Sequence, residues 1–225
     1  MPNTSFAIAF RFRGQISYVK NTDKSVLPIA TFSGLRKSVR LINYGPKTAA
    51  LIVLFKETGV SAFFKQPLHE LFEASVSLDN FFSQSEISII EERLAESETN
   101  HSKIAVMEQF LYSKLSYNKS DSLVSEAIAK IYSNNGIIRI SELADGLYIS
   151  QDAFEKRFRK LTGATPKQFS SIVKMKAIIR QNPAPFSFLD LALGNGYYDQ
   201  PHFNKEFKLF TGQTPTDFFK SAPYW

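Results

Sequence analysis

Two stretches of this chain repeat one another, and that repeat limits the fold more than any other feature. Residues 154–169 read FEKRFRKLTGATPKQF and residues 203–218 read FNKEFKLFTGQTPTDF. At a constant offset of 49, eight of the 16 positions are identical: Phe154/Phe203, Lys156/Lys205, Phe158/Phe207, Thr162/Thr211, Gly163/Gly212, Thr165/Thr214, Pro166/Pro215 and Phe169/Phe218. Upstream, Leu143-Ala144 matches Leu191-Ala192 at an offset of 48, so the second copy carries one extra residue in its turn. Self-similarity at fixed spacing marks a duplicated supersecondary unit. A helical solenoid for protein binding needs three or more copies, and here there are two, each closed by a TG-x-TP stop.

Each copy reads as a short helix, a tight turn and a longer helix, which is the helix-turn-helix pattern. In the first copy Ser141 is expected to cap a short helix over 142–146. Ser150 then caps a helix whose buried face is Phe154, Phe158 and Leu161. Thr162-Gly163 ends it, with Gly as the left-handed residue after the helix. Thr165-Pro166 opens a linking helix over about 165–181, with Pro at the first helical position. Asn182-Pro183-Ala184-Pro185 breaks the chain before the second copy. The turns are Leu147-Tyr148-Ile149-Ser150 and Asn195-Gly196-Tyr197-Tyr198, and Gly196 sits where a positive φ is expected. Asp199 reads as an N-cap. Ahead of both copies, Leu123, Ala127, Ile128, Ile131 and Tyr132 form one apolar stripe that Asn134-Asn135-Gly136 stops.

The first 65 residues differ in kind. Residues 6–13 (FAIAFRFR) place large apolar residues at every second position, a strand period. Ile16–Val19 and Leu27–Phe32 are further β-prone runs, separated by the turn-like Asn21-Thr22-Asp23-Lys24. Val39–Tyr44 alternates again, and Ala49–Phe55 reads as a strand buried on both faces. After Pro67 the period becomes helical: Leu68, Leu71 and Phe72; then Ile87, Ile90 and Leu94; then Ile104, Met107, Leu111 and Leu115. The polar run 118–122 marks a domain boundary. The expected fold class is α+β: a β-rich region over 1–65, a helical segment over 66–118 packing on it, and an all-α domain over 119–225 with two helix-turn-helix units.

Charge sharpens this division. The net charge of +6 is a sum of unlike parts. Residues 1–65 hold 10 Lys/Arg against 2 Asp/Glu, residues 66–118 hold 3 against 9, and residues 119–225 hold 14 against 10. The run 156–189 carries Lys156, Arg157, Arg159, Lys160, Lys167, Lys174, Lys176 and Arg180 with no acidic residue. Such a run is either a solvated helical face or a phosphate-binding surface. The N-terminal excess has no assignment from sequence. The start of the chain lacks the basic and apolar pattern of a targeting segment. Ala49–Phe55, the longest later apolar run, is too short to span a bilayer. With no cysteine in the chain, a cytoplasmic protein without a membrane association is expected.

Residues 123–222 resemble the AraC/XylS-type DNA-binding domain over its whole length. The most specific stretch is LALGNGYYDQPHFNKEFKLFTGQTPTDF, with Gly196, Phe203, Phe207, Gly212 and Pro215 in place. The first unit departs at Tyr148, where that family often has Gly, and Pro201 is unusual near the start of the second recognition helix. VLPIATFSGLRK, LIVLFKETGVSAFF and PLHELFEASVSLDNFF look like the sensor region of a subset of these regulators, where a β-rich, cupin-like region precedes a helical segment. The usual region is longer, so a complete barrel is expected only if dimerisation supplies it.

The resemblance implies two recognition helices entering successive major grooves, about 34 Å apart. The exposed base-reading candidates are Gln151, Asp152, Glu155, Lys156 and Arg159 in the first helix, and Gln200, His202, Asn204, Lys205 and Lys208 in the second. Gln and Asn pair with adenine, Lys reaches guanine acceptors, and Glu155 suits cytosine N4. Asp152 and Glu155 also read as plain surface residues or caps, and His202 as a surface histidine. Arg157, Lys160, Lys167 and Lys174 are candidates for phosphate, and Ser150 and Thr214 mark helix N-termini whose amides suit the same group. Phe154, Phe158, Phe203 and Phe207 read as core.

Enzyme chemistry finds little support. His69, His101 and His202 are scattered, with no metal-ligand spacing. Gly59-Val60-Ser61-Ala62-Phe63 lacks the closing Gly of a nucleophile elbow. Gly194-Asn195-Gly196 follows a helix, not a strand, so it is no dinucleotide loop. No cofactor, metal or catalytic residue is expected. The resemblance implies a transcription regulator, with activation among its expected roles, that binds double-stranded DNA. RNA polymerase, a small-molecule effector and a second copy of the chain are its further expected partners. The alternatives are a protein-interaction adaptor and a small-molecule-binding protein whose basic helices do not bind DNA specifically.

Overall fold

A computed structural model describes residues 2–20, 23–116, 121–181 and 187–220. Its contacts divide the chain into two compact units. One comprises residues 5–35 and 40–120, the other residues 1–4, 36–39 and 121–225. The expected boundary residues 118–120 and the break at 182–185 lie outside the described residues. So do Asn21 and Thr22.

The first unit is built on two antiparallel sheets. Its strands are β1 (Ala7–Arg13), β2 (Ile16–Lys20), β3 (Asp23–Val26), β4 (Ala30–Ser33), β5 (Leu41–Tyr44), β6 (Ala49–Leu54) and β7 (Ser75–Ser77). The four-stranded sheet has the order β6-β1-β4-β7 and the three-stranded sheet β3-β2-β5. Ile8 pairs with both Phe32 of β4 and Val53 of β6, which fixes the register at the sheet centre. The alternation in β1 is real: Ile8 and Phe10 are buried while Ala7, Ala9 and Arg11 are not.

Two strand expectations are corrected. Ala49–Phe55 is not buried on both faces: β6, an edge strand, leaves Ile52 and Leu54 on one face 57% and 61% exposed. An apolar run reports hydrophobicity but not how many neighbours a strand has. Asp23 and Lys24 are paired strand residues, not turn, opposite Lys20 and Val19 of β2. The strand pairing supplies their backbone partners despite their low β-propensity.

Phenylalanines fill the core of this unit. Phe32 stacks on Phe64 at 4.3 Å between ring centroids, with Phe6 and Phe81 within 5.6 and 5.1 Å of it. Phe82 meets Phe110 edge-on at 5.2 Å. These tilted and edge-to-face geometries suit the ring quadrupole. Two helices complete the unit. Helix α1 (Gln84–Glu96) starts at a capping box of Ser83 and Glu86, and buries Ile87, Ile90 and Leu94 as their spacing requires. Helix α2 (Asn100–Lys114) buries Val106, Met107 and Phe110. Ile104 and Leu115 are exposed, so the inward stripe is rotated from the expected one. The aromatic cluster draws in Phe110, a larger apolar group than Ile104. Lys114 pairs with Glu86, and that contact together with hydrogen bonds from Ser83 lowers the Glu86 carboxyl to about 2.

The helical unit contains α3 (Ser122–Ser133), α4 (Ile140–Asp145), α5 (Gln151–Thr162), α6 (Pro166–Arg180), α7 (Phe188–Gly194), α8 (Gln200–Thr211) and α9 (Pro215–Lys220). Helix α3 is capped by Asp121, whose side chain accepts from the Val124 N–H, and it buries Val124, Ala127, Ile128 and Ile131. Leu123 and Tyr132 fall at the margin of that stripe. Tyr132 makes a hydroxyl–hydroxyl hydrogen bond of 2.9 Å with Thr4. Asn135 and Gly136 both take positive φ at the helix end. Helix α4 begins two residues earlier than expected: Arg139 holds the N-cap position without a side-chain bond, and Ser141 lies inside the helix. Residues 36–39 join this unit, and the Val39 N–H donates to the Leu209 carbonyl at 3.0 Å.

Candidate nucleic-acid interface

The two copies of the repeat fold alike. Leu143-Ala144 on α4 and Leu191-Ala192 on α7 are buried, and the small Ala lets the following helix cross closely. Ser150 caps α5 by accepting from the Ala153 N–H, and Asp199 caps α8 by accepting from the His202 N–H. Phe154 and Phe158 pack edge to face at 5.6 Å between centroids, and Phe203 and Phe207 at 5.5 Å. All four are fully buried. The stops match atom for atom. Thr162 donates to the Phe158 carbonyl at 2.9 Å, and Thr211 donates to the Phe207 carbonyl at 2.8 Å. Gly163 and Gly212 follow with φ of 72° and 85°, a left-handed conformation that glycine adopts without Cβ strain.

With the Phe pairs turned inward, the remaining face of each second helix is free. On α5, Gln151, Asp152, Lys156 and Arg159 are exposed. Glu155 is half-buried and accepts from Gln151 Nε2 at 2.9 Å. On α8, His202, Lys205 and Lys208 are exposed, while Gln200 and Asn204 are half-buried. Asn204 Oδ1 is buried without a hydrogen-bond partner in this structure. His202 Nε2 lies 3.7 Å from Glu206 Oε1, one helical turn away.

The phosphate candidates fall into different environments. Lys160 and Lys167 are exposed. The Ser150 hydroxyl serves its cap, as does Thr214, which accepts from the Asp217 N–H at 3.2 Å and donates to Asp217 Oδ2. Arg157 is tied to Asp121 at 2.6 Å. Burial works against ionisation of Asp121, but the Arg157 guanidinium and the Val124 N–H outweigh it and hold the carboxyl below its usual range. Lys174 is half-buried, with Nζ 3.6 Å from the centroid of the Tyr197 ring. Burial lowers its pKa. The Tyr197 hydroxyl donates to Glu206 at 2.8 Å, and burial together with that carboxylate pushes the phenol upward. Lys174 thus serves as a link between α6 and the second unit as well as a cation. Sequence reasoning missed this cluster, because Lys174 and Tyr197 are distant in the chain and share no motif.

The turns differ. Gly196 has φ +73°, as its position requires. Its counterpart in the first unit is Tyr148, which takes φ +55° in its place. The absent glycine at 148 was the one sequence signal of this feature. No group of His, Cys, Asp or Glu suited to a metal occurs among the described residues. Among those residues, no helix is long and apolar enough to cross a membrane.

The C-terminal part of the chain, residues 143–221, matches a known family model described as a helix-turn-helix domain. Among solved structures, a ToxT structure from Vibrio cholerae aligns at 10% identity and a TM-score of 0.47, over 98% of this chain and 91% of that one. An apo ToxT variant from the same organism aligns at 12% identity and a TM-score of 0.46, over 96% and 89%. Wild-type ToxT bound to an unsaturated fatty acid aligns at 11% identity and a TM-score of 0.45, over 96% and 86%. No curated protein matches the sequence. The matching model, the duplicated helix–turn–helix geometry and the paired stops identify residues 143–221 as a helix-turn-helix domain.

Proposed function

We propose that this chain is a cytoplasmic transcription regulator that binds duplex DNA in a sequence-specific way. The observation that carries the reading is the duplicated helix-turn-helix, whose α5 and α8 bury their Phe pairs and leave their polar faces open. In this reading α5 and α8 enter successive major grooves about 34 Å apart. Gln151, Asp152, Glu155, Lys156 and Arg159 read bases from α5, and Gln200, His202, Asn204, Lys205 and Lys208 from α8. Lys160 and Lys167 neutralise phosphates. Arg157 and Lys174 do so while also holding the domain together, and the helix ends at Ser150 and Thr214 present backbone amides. The β-rich unit modulates this activity through a small-molecule effector or a second copy of the chain, and RNA polymerase is the partner through which output is read.

A gel-shift salt titration tests this. Specific binding with a steep negative slope against log salt is expected, because neutralised phosphates release counterions. Lys205→Ala and Asn204→Ala weaken binding to the preferred site or relax its sequence without unfolding the domain. Absence of binding at low salt would remove the DNA reading. Normal binding by both variants would remove the assignment of α8 as a reading helix.

A further inference from the structure

The turns that introduce α5 and α8 are built on one plan. The Ile149 N–H donates to the Ala144 carbonyl at 3.2 Å, and the Tyr197 N–H donates to the Ala192 carbonyl at 3.0 Å. Each preceding residue is left-handed: Tyr148 at φ +55° and Gly196 at φ +73°. Glycine meets this geometry without penalty, whereas a side chain with a Cβ costs about 1–2 kcal/mol there. Strain of this kind persists where something compensates it. Packing does not, since Tyr148 is 98% exposed. No described residue contacts its ring or bonds its hydroxyl, in contrast to Tyr197, whose ring packs on Phe203 and whose hydroxyl meets Glu206. The fold therefore carries a strained tyrosine that it does not use.

The second turn reaches the same display by another route. Its extra residue, Tyr198, stands directly before the cap Asp199 and is 91% exposed. Tyr148 stands two residues before the cap Ser150. Both units thus hold one solvent-facing phenol beside the N-terminus of the helix with the open polar face, although neither position repeats the other. A tyrosine hydroxyl is one of the groups that donate to DNA phosphate oxygens, and such contacts set the register of a protein on the duplex.

We propose that Tyr148, with Tyr198 as its counterpart in the second unit, is a contact to the sugar–phosphate backbone of duplex DNA. The contact is neutral, with the phenol O–H donating to a phosphate oxygen beside the recognition helix. It rests on the DNA-binding reading above and adds residues that the helix faces do not contain. A neutral donor releases no counterion, so its loss lowers affinity without changing the salt slope, whereas loss of a cationic contact reduces that slope by about 1.

The test uses the full chain and a duplex selected from a random pool by the wild-type protein. Wild type, Tyr148→Phe, Tyr148→Gly and Tyr198→Phe are compared by fluorescence anisotropy across a salt series and by thermal unfolding. Tyr148→Phe and Tyr148→Gly are expected to bind roughly tenfold more weakly, the loss of one hydrogen bond to a charged group. Their salt slope stays unchanged. The midpoint of Tyr148→Gly is no lower than that of wild type, because the left-handed strain is relieved. Tyr198→Phe weakens binding in the same manner. Wild-type affinity in both Tyr148 variants, with wild type itself binding, would overturn this proposal and leave the DNA reading standing. Unchanged DNA binding with lost transcriptional output would overturn it in favour of a protein contact. Failure of wild type to bind any duplex would remove both.

Discussion

The two helix-turn-helix units share a scaffold and differ in what surrounds it. Both bury a Phe pair, cap the second helix with a side-chain oxygen, and end it with a Thr hydroxyl bond followed by a left-handed Gly. The first unit places four cations on α5 and holds Arg157 with Asp121, the cap of α3. The second has two cations on α8, together with the Tyr197–Glu206 hydrogen bond and the approach of Lys174 from α6. The scaffold is set by contacts inside each repeat, and divergence has gathered where each unit meets the rest of the domain. A duplicated motif can thus keep its local physics while its two copies take on different surfaces.

The largest expected effect tests whether the scaffolds are equivalent. Phe158→Ala and Phe207→Ala each remove a fully buried ring and should cost about 3–5 kcal/mol. Urea unfolding of the two variants measures this directly. A cost below about 1 kcal/mol for either would show that its unit does not depend on the shared core.

Glycine substitutions sharpen the comparison of the turns. A Cβ on Gly136 would meet the Ser170 carbonyl oxygen at 2.3 Å and the Lys174 amide nitrogen at 2.6 Å, both backbone atoms. Gly136→Ala should therefore destabilise by about 2 kcal/mol or more, combining φ strain with a clash that only backbone movement relieves. A Cβ on Gly196 meets only Ile137 Cγ2, at 3.3 Å. Gly196→Ala should cost about 1 kcal/mol, the left-handed penalty alone, since the first turn already accommodates a tyrosine at the equivalent place. Equal costs in thermal unfolding would contradict this account of the two sites.

The smallest effect isolates the ion pair found only in the first unit. Asp121→Asn keeps a capping oxygen but removes the charge opposite Arg157, a loss of about 0.5 kcal/mol at neutral pH. The Asp121 carboxyl is depressed in the folded chain. Its contribution is therefore fully present above the unfolded value of about 3.9 and disappears as pH falls through the lower folded value. The stability difference between wild type and variant should shrink below about pH 4. A difference that persists at pH 2 would assign the effect to packing.

Much of the helical unit was legible in the sequence. The caps at Ser150 and Asp199, the stops at Gly163 and Gly212, the Pro at the start of α6 and the buried Phe pairs depend on residues within four positions of each other. Less of the β-rich unit was legible. Ala49–Phe55 has the composition of a strand buried on both faces but leaves one face exposed at a sheet edge. Residues 36–39 belong with the helical unit through the Val39–Leu209 bond, which no local pattern announces. For the candidate interface, residue types and their helix faces were legible. The states of Arg157, Lys174 and Asn204 were not, because each is set by a partner, or by burial, that sequence separation conceals.

The sequence by itself determined that this chain carries a duplicated helix-turn-helix, since side-chain spacing, capping and glycine conformation act over a single turn of helix. Only the tertiary structure decided which strand is an edge, which face of α2 turns inward and which cations are held. It also decided that Tyr148 is strained yet wholly exposed. Strain follows from the left-handed φ that the turn's hydrogen bonds impose. Exposure follows from the absence of any neighbour packed against the ring among the described residues, and both depend on how the chain closes on itself.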